Sequence, residues 1–385
     1  MKKIAFSGTL DPITNGHMWV ISEARALAEQ VVILISENPS KQPQFPAELR
    51  KLIVEQSLAA QGWDNVSVVL VRGDYTARVA KRLGIDFLIR GIRNTSDFDY
   101  ENLIQQVNVD VLNGAKTLFV MPPRDLGSVS SSFVRGLQGP VGWHWTTRRF
   151  MPAPAYHAWI LGWLRKRWFS LWPAPDQNCS AWFERLTGSD AYGAPGRPYH
   201  NLDHLVHGLT ELFVWGANSG ATAQQMAALS KAFWFHDAVY ATRKDPQAPS
   251  NEEQSAQLWL ASGLDQGEAA HEVATLIRAT AHLLPGSDAA AHHPLQEIML
   301  GADLAILGQP EDVYDAYAQA VRQEYAHIDS VSYRVGRRRV LAHFLALAKS
   351  DTLYRDAWFG ALYGEQATAN LARELDSLEH APATQ

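Results

Sequence analysis

The first third of the chain alternates two hydrophobic periods. Short apolar runs at Ile4–Phe6, Val31–Ile35, Val66–Val71, Phe87–Ile89 and Leu118–Val120 read as buried strands. Between them, Met18–Ala28, Leu49–Leu58, Thr76–Leu83 and Tyr100–Leu112 repeat their apolar residues at helical spacing, and a further helix opens near Ser130. Short continuous strands separated by helices predict a parallel sheet covered on both faces, an α/β Rossmann-like sandwich.

The pattern changes after Gly139. Pro140, Pro152, Pro154, Pro173 and Pro175 bracket a helical segment rich in Trp and Arg, Tyr156–Trp172. It reads as a helix closing the first domain and contacting a second, in preference to a helix lying on a membrane surface. Strand signals then fade. Helical periods at Ala227–Phe235, Glu253–Ala261, Ala269–Ala281 and Tyr333–Ala348 predict a mostly α second domain, and Leu378–Gln385 reads as a disordered tail. The expected domains are residues 1–168 and 176–380.

Composition narrows the function. With 46% hydrophobic and 19% charged residues in a chain of 385, extended disorder is excluded and two domains are natural. A net charge of −6 argues against a nucleic-acid backbone as main partner. The single cysteine, Cys179, rules out an internal disulfide framework and a thiolate-rich metal cluster, and favours a reducing compartment. No apolar run approaches the roughly 20 residues of a membrane span, and the N-terminus lacks signal-peptide features. A cytoplasmic protein with no membrane partner is expected.

Candidate chemistry in the first domain gathers at strand ends. Ser7 to His17 joins a strand to a helix, and the following helix start offers unpaired N–H groups to a phosphate. Lys41 lies just beyond the second strand. Arg90-Gly91-Ile92-Arg93 places two guanidiniums at the end of the fourth, suited to paired hydrogen bonds with phosphate oxygens. Ser130, Ser131 and Ser132 open the last helix as a second anion site.

These motifs resemble the phosphopantetheine adenylyltransferase family of the nucleotidyltransferase superfamily over residues 1–168. The likeness rests on G-T-x-D-P-x-T-x-G-H at 8–17, R-G-x-R with Asp97, Tyr100 and Glu101 at 90–101, S-S-S-x-V-R at 130–135, and Phe150-Met151-Pro152 with its helix. The resemblance implies transfer of AMP from ATP to 4′-phosphopantetheine with Mg²⁺, giving dephospho-coenzyme A and pyrophosphate. It also implies direct attack by the acceptor phosphate, with no covalent enzyme intermediate. Carried over, His17 stabilises the transition state, and Lys41 and Arg90 hold the acceptor and transferring phosphates. Thr9 lies near the acceptor phosphate, while Arg93, Glu101, Ser130, Ser131 and Ser132 face ATP. The resemblance further implies a homo-oligomer. Where the family shows Met-Asn-Arg, this chain has Val107-Asn108-Val109, which leaves another phosphate acceptor open.

The second domain carries a different chemistry. Tyr199-His200-Asn201-Leu202-Asp203-His204 sets two imidazoles four residues apart, on one face if helical. Trp234-Phe235-His236-Asp237 puts a His-Asp pair in an apolar helix, and Asp303 sits among Gly301, Ala302 and Leu304. Burying these groups is costly without a partner, and one divalent cation would satisfy all of them. The ordered set resembles the HD-domain phosphohydrolase superfamily, with a Y-H-N-x-x-H form like that of cyclic-nucleotide phosphodiesterases. The resemblance implies His204, His236, Asp237 and Asp303 as ligands of a divalent metal (Mn²⁺, Mg²⁺, Fe²⁺, Zn²⁺ or another) that activates water for attack on phosphorus. His200 would contact phosphate or act as general acid, and the substrate would be a phosphorylated small molecule or nucleotide. His282 is a further phosphate or metal candidate. Glu252 and Glu253 read as dipole-matching solvated residues at a helix start, and the segment Tyr314 to Tyr325 as core aromatics with a surface Arg322, in slight preference to a helix that offers Arg322 to a substrate phosphate. A nucleotide-sensing regulatory module is the alternative for this domain.

Overall fold

In the computed structural model of the protein, which describes residues 2–37, 42–111, 114–243, 247–281, 293 and 295–380, the apolar runs become five parallel strands. They are β1 (Lys3–Gly8), β2 (Gln30–Ser36), β3 (Val66–Val71), β4 (Phe87–Gly91) and β5 (Lys116–Val120), ordered β3-β2-β1-β4-β5. The connecting helices are α1 (Asn15–Leu27), α2 (Ala47–Ala59), α3 (Thr76–Arg82) and α4 (Thr95–Gln106), followed by α5 (Ser131–Gly136) and α6 (Trp143–Arg148). β1 and β2 are buried along nearly their whole length, without alternation, as both-face coverage requires. The chain winds from β1 outward through β2 and β3, then returns to place β4 on the other side of β1. The carboxyl ends of β1 and β4 therefore form the switch point where open α/β sheets receive ligands.

Two helices depart from the sequence expectation. α4 begins earlier, because the Asn94 side chain caps it by accepting from the Asp97 N–H (2.8 Å), and it passes into a π-helical turn over Val107–Val111. α5, opened by the serine run, is only six residues long.

The chain divides into two compact units, Met1–Gly162 and Trp163–Gln385. The division falls inside α7 (Ala153–Phe169), ahead of residue 168. Tyr156, Trp159, Ile160, Trp163, Leu164 and Trp168 of α7 are all buried, so its tryptophans are core residues and not a membrane-facing stripe. Trp159 meets the edge of Phe45 in the first unit, and Trp168 meets Trp234 in the second. Among the described residues, no helix is long and apolar enough to cross a membrane.

Among its described residues the second unit has helices and no strand: α8 (Gln177–Thr187), α9 (Leu202–Ser219), α10 (Ala223–Phe235), α11 (Asn251–Ser262), α12 (Gly267–Ala279), α13 (Gln296–Leu304), α14 (Glu311–Glu324), α15 (Ser330–Lys349) and α16 (Ala357–His380). α9 and α10 pack so closely that a Cβ at Gly208 would lie 1.9 Å from the ring of Phe233. Correcting the expected tail, α16 stays helical through His380, so Leu378 to His380 are ordered as its last turn.

Candidate functional site

The loop after β1 is held from several sides. The buried Asp11 carboxylate accepts the N–H groups of Gln44 (2.7 Å) and Phe45 (3.0 Å). Arg50, also buried, donates to the carbonyls of Thr9 (2.5 Å) and Phe45 (3.1 Å). Between these anchors Leu10 adopts φ 51°, a left-handed conformation unfavourable for a branched residue and sustained here by the loop's fixed ends and its own burial. Gly16 permits the start of α1 to approach the 129–130 segment, since a Cβ there would stand 2.7 Å from the Val129 carbonyl oxygen.

This loop delivers His17 in a defined state. The Thr14 N–H donates to His17 Nδ1 at 3.0 Å, closing a capping box on α1. Nδ1 is then the acceptor and Nε2 carries the proton. Burial first, then the charges of Arg93 and Arg90, push the His17 pKa down to about 4. At neutral pH the ring is an uncharged donor. It lines a cavity of ≈ 170 Å³ together with Arg90, Arg93, Glu101 and Ser130. Arg90 is fixed by Glu101 (2.9 Å) and by the Ser7 carbonyl, and Arg93 forks onto Asp97 (2.7 and 3.1 Å). The cavity edge thus presents two oriented guanidiniums and one neutral N–H donor.

The second unit assembles its cluster from three places. Asn201 caps α9 by accepting from the Asp203 N–H (2.8 Å), so His200 lies in the turn before the helix and His204 in its first turn. The two imidazoles do not share a helix face, contrary to the simple reading of their spacing. α10 ends at Phe235, leaving His236 and Asp237 in the turn beyond it, not within the helix. Arg197 secures that turn by donating to the carbonyls of Asp237 (2.7 Å) and Ala238 (3.0 Å), and the Asp237 N–H donates to Tyr192 Oη (3.2 Å). Asp303 arrives on α13.

One ligand atom from each of His204, His236, Asp237 and Asp303 lies within 4.8 Å of the others. His204 Nε2 stands 3.0 Å from His236 Nε2, 3.6 Å from Asp237 Oδ2 and 3.5 Å from Asp303 Oδ1. His236 Nε2 is 3.0 Å from Asp237 Oδ2 and 3.4 Å from Asp303 Oδ1. Ligand atoms about 2.1 Å from one ion sit about 3.0 Å apart at right angles and about 3.4 Å apart at the tetrahedral angle. The spacing and the two-nitrogen, two-oxygen donor set therefore fit a divalent cation. His236 Nδ1 donates to the Phe233 carbonyl (2.8 Å), which turns Nε2 inward. Burial lowers the His236 pKa, but the Asp237 and Asp303 carboxylates outweigh it and hold it well above the usual value. Asp237 is held well below the carboxylate range despite its burial, chiefly by His236 and His200.

His200 faces the same cluster, its Nε2 3.9 Å from Asp237 Oδ2. Its ring stacks on Tyr240 at 3.9 Å, and its Nδ1 meets the Glu324 carboxylate at 2.7 Å. The other Glu324 oxygen accepts the N–H groups of Tyr199 (2.9 Å) and His200 (2.8 Å).

Comparison with known proteins separates the two units. A family model described as cytidylyltransferase-like matches residues 5–137. The phosphopantetheine adenylyltransferase of Chromobacterium violaceum is 34% identical over 156 residues, 40% of this chain and 94% of the relative. The chain belongs to the phosphopantetheine adenylyltransferase family. The Histophilus somni and Neisseria meningitidis serogroup B members are 38% and 31% identical over 161 and 156 residues, covering 96% and 90% of their own lengths but 41% and 40% of this chain. The cluster of the second unit lies beyond these matches and rests on its geometry.

Within the adenylyltransferase unit, the structure brings His17, Arg90, Arg93, Glu101 and Ser130 to one cavity. Ser130 also caps α5, while Ser131 donates to the Pro12 carbonyl (2.7 Å) and Ser132 accepts from Arg135 (2.9 Å). Thr9 is not among the residues lining that cavity; its carbonyl accepts from Arg50 and so helps hold the loop. Lys41 and, in the second unit, His282 lie outside the described residues. Glu253 grips Arg278 (2.6 and 3.1 Å), but Glu252 lines the second unit's cavity and is half-buried there, not a solvated helix-start residue. Arg322 donates to the carbonyls of Tyr325 and Ile328, so it closes the end of α14. Arg50, Tyr192, Arg197 and Glu324 are the positioning residues that sequence reasoning missed, while Asp11 stood in the 8–17 motif without an assigned role.

Proposed function

We propose that the first unit transfers the adenylyl group of ATP to 4′-phosphopantetheine. The observation that carries this is a relative matched over 94% of its length, joined to a cavity whose edge suits a triphosphate. His17 Nε2–H donates toward phosphate oxygens as charge gathers there, and stays uncharged in the ground state. Arg90 and Arg93, locked by Glu101 and Asp97, supply positive charge without reorganisation. Catalysis is positioning plus charge stabilisation. Mg²⁺ accompanying ATP would neutralise phosphate charge. Incubation with ATP, Mg²⁺ and 4′-phosphopantetheine, followed by mass, is expected to yield dephospho-coenzyme A and pyrophosphate. ATP binding without that product would move the acceptor assignment to another phosphate, a reading that Val109 leaves open.

We infer that the second unit is an HD-type metal-dependent phosphohydrolase. Four convergent ligand atoms at metal spacing support it. A divalent cation held by His204, His236, Asp237 and Asp303 would polarise a phosphoryl oxygen and lower the pKa of water. The chain itself holds His200 beside that position, oriented by Glu324 on one side and Tyr240 on the other. Metal analysis of the purified protein, with phosphate release from a panel of phosphate esters in added Mn²⁺, tests the reading. Neither bound metal nor turnover would leave a nucleotide-sensing module as the better account.

A further inference from the structure

The cavity beside the second unit's cluster measures ≈ 520 Å³, against ≈ 170 Å³ in the first unit. It falls within the about 300–1,000 Å³ of pockets that bury most of a drug-sized ligand, far beyond the needs of a phosphate group. His200, Asp237 and Asp303 form part of its lining, and α14 adds Tyr317 and Tyr325. α15 forms a further wall through Tyr333, Gly336, Arg337, Val340 and Phe344. The guanidinium on that wall is engaged, since Arg337 forks onto Glu374 at 2.8 Å through two nitrogens. Apart from Ser332 and His343 of α15, what the two helices offer a ligand is aromatic and aliphatic.

Gly336 lies in the interior of the 20-residue α15, where glycine is a poor helix former. Other glycines of the unit have a packing reason: a Cβ at Gly208, Gly216 or Gly301 would come within 1.9, 2.3 or 2.4 Å of a neighbouring side chain. At Gly336 a Cβ would meet nothing within 4 Å, and no left-handed φ demands glycine. Neither packing nor backbone explains it. Gly364 is equally unconstrained, but only Gly336 borders the cavity.

We propose that this cavity takes a phosphate monoester bearing a bulky aromatic group, and that Gly336 is the specificity-determining residue that leaves room for that group. The proposal rests on the phosphohydrolase reading of the second site. In the reaction the ester P–O bond breaks as water oxygen bonds to phosphorus. The departing oxygen takes up the proton that water gives up, so inorganic phosphate and the free hydroxyl compound result.

The test compares the full-length protein with Gly336→Leu, using 1-naphthyl phosphate and glycerol 2-phosphate as probes in Mn²⁺. Leucine favours helix, so the variant should melt no lower than the parent. Its kcat/KM for 1-naphthyl phosphate should fall about tenfold or more, mainly through KM, while glycerol 2-phosphate stays within about twofold. Binding of 1-naphthol without added metal, followed by its fluorescence, should weaken in parallel. Equal loss on both probes, or no change in either together with unaltered 1-naphthol binding, would overturn the proposal. Absence of turnover by the parent protein, with Gly336-dependent 1-naphthol binding intact, would sink the hydrolase reading while supporting the aromatic pocket.

Discussion

The ring of His17 closes the capping box of α1 through Nδ1, and this fixes which nitrogen faces the cavity. Its pKa near 4, against an ordinary 6.5, gives the stability a pH dependence. Above pH 6.5 both folded and unfolded chains hold the ring neutral. Between 6.5 and 4 the unfolded chain takes up a proton that the folded one excludes, so stability falls as pH falls, and the effect is complete below 4. A ¹H–¹⁵N titration should place the His17 midpoint below 5. His17→Gln, which keeps a capping-box acceptor, should show a flatter urea stability across that window than the parent protein. For catalysis, His17→Ala is expected to lower kcat by about 10²–10³-fold with ATP affinity little changed, because its donor serves charge that develops in the transition state. A matched loss of ATP binding at unchanged kcat would contradict this. Asp11→Ala orphans two N–H groups and should cost about 1–3 kcal/mol in denaturant unfolding, with a parallel loss of activity. That His17, Arg90 and Arg93 would meet at one sheet edge was legible from strand-end position, while their roles came only with the family resemblance. Glu324 was not, since its partner His200 stands 124 residues away and nothing in the linear pattern couples them.

At the scale of elements, the strands were readable because a parallel sheet buries both faces and writes each strand as an apolar run. Helix ends were less so, because caps such as Asn94 and Asn201 decide them through one side chain. The placement of His200 before α9, rather than on it, is such a case. Phe98 of α4 meets Phe119 of β5, while Tyr100 and Leu103, 62% and 58% exposed, lie on another side of the helix, in line with Val107 (40%) in the π-helical turn that follows. An apolar helix face beside the edge strand β5, in a unit whose family resemblance implies an oligomer, fits contact with a second copy of the chain. Leu103→Glu is expected to lower the oligomeric state in sedimentation velocity without lowering the melting temperature. An unchanged sedimentation coefficient would mean that α4 is not the contact.

Across the whole molecule, the described residues of each site come from one compact unit. His17→Ala should therefore leave metal content and phosphate release intact. Asp303→Ala should lose the metal retained through gel filtration while preserving adenylyl transfer, with both proteins assayed both ways. In the first unit, hydrogen bonds between strands set how far apart the site elements stand. The helical unit has no such ruler between α9 and α10. There the distance is gauged by Gly208, one turn beyond His204, against Phe233, just ahead of His236. A methyl group at that contact should spread the two helices and widen the nest between them. Gly208→Ala is thus expected to shift competition from Zn²⁺ toward the larger Mn²⁺, so that a residue which never touches the ion sets the size of ion the protein prefers.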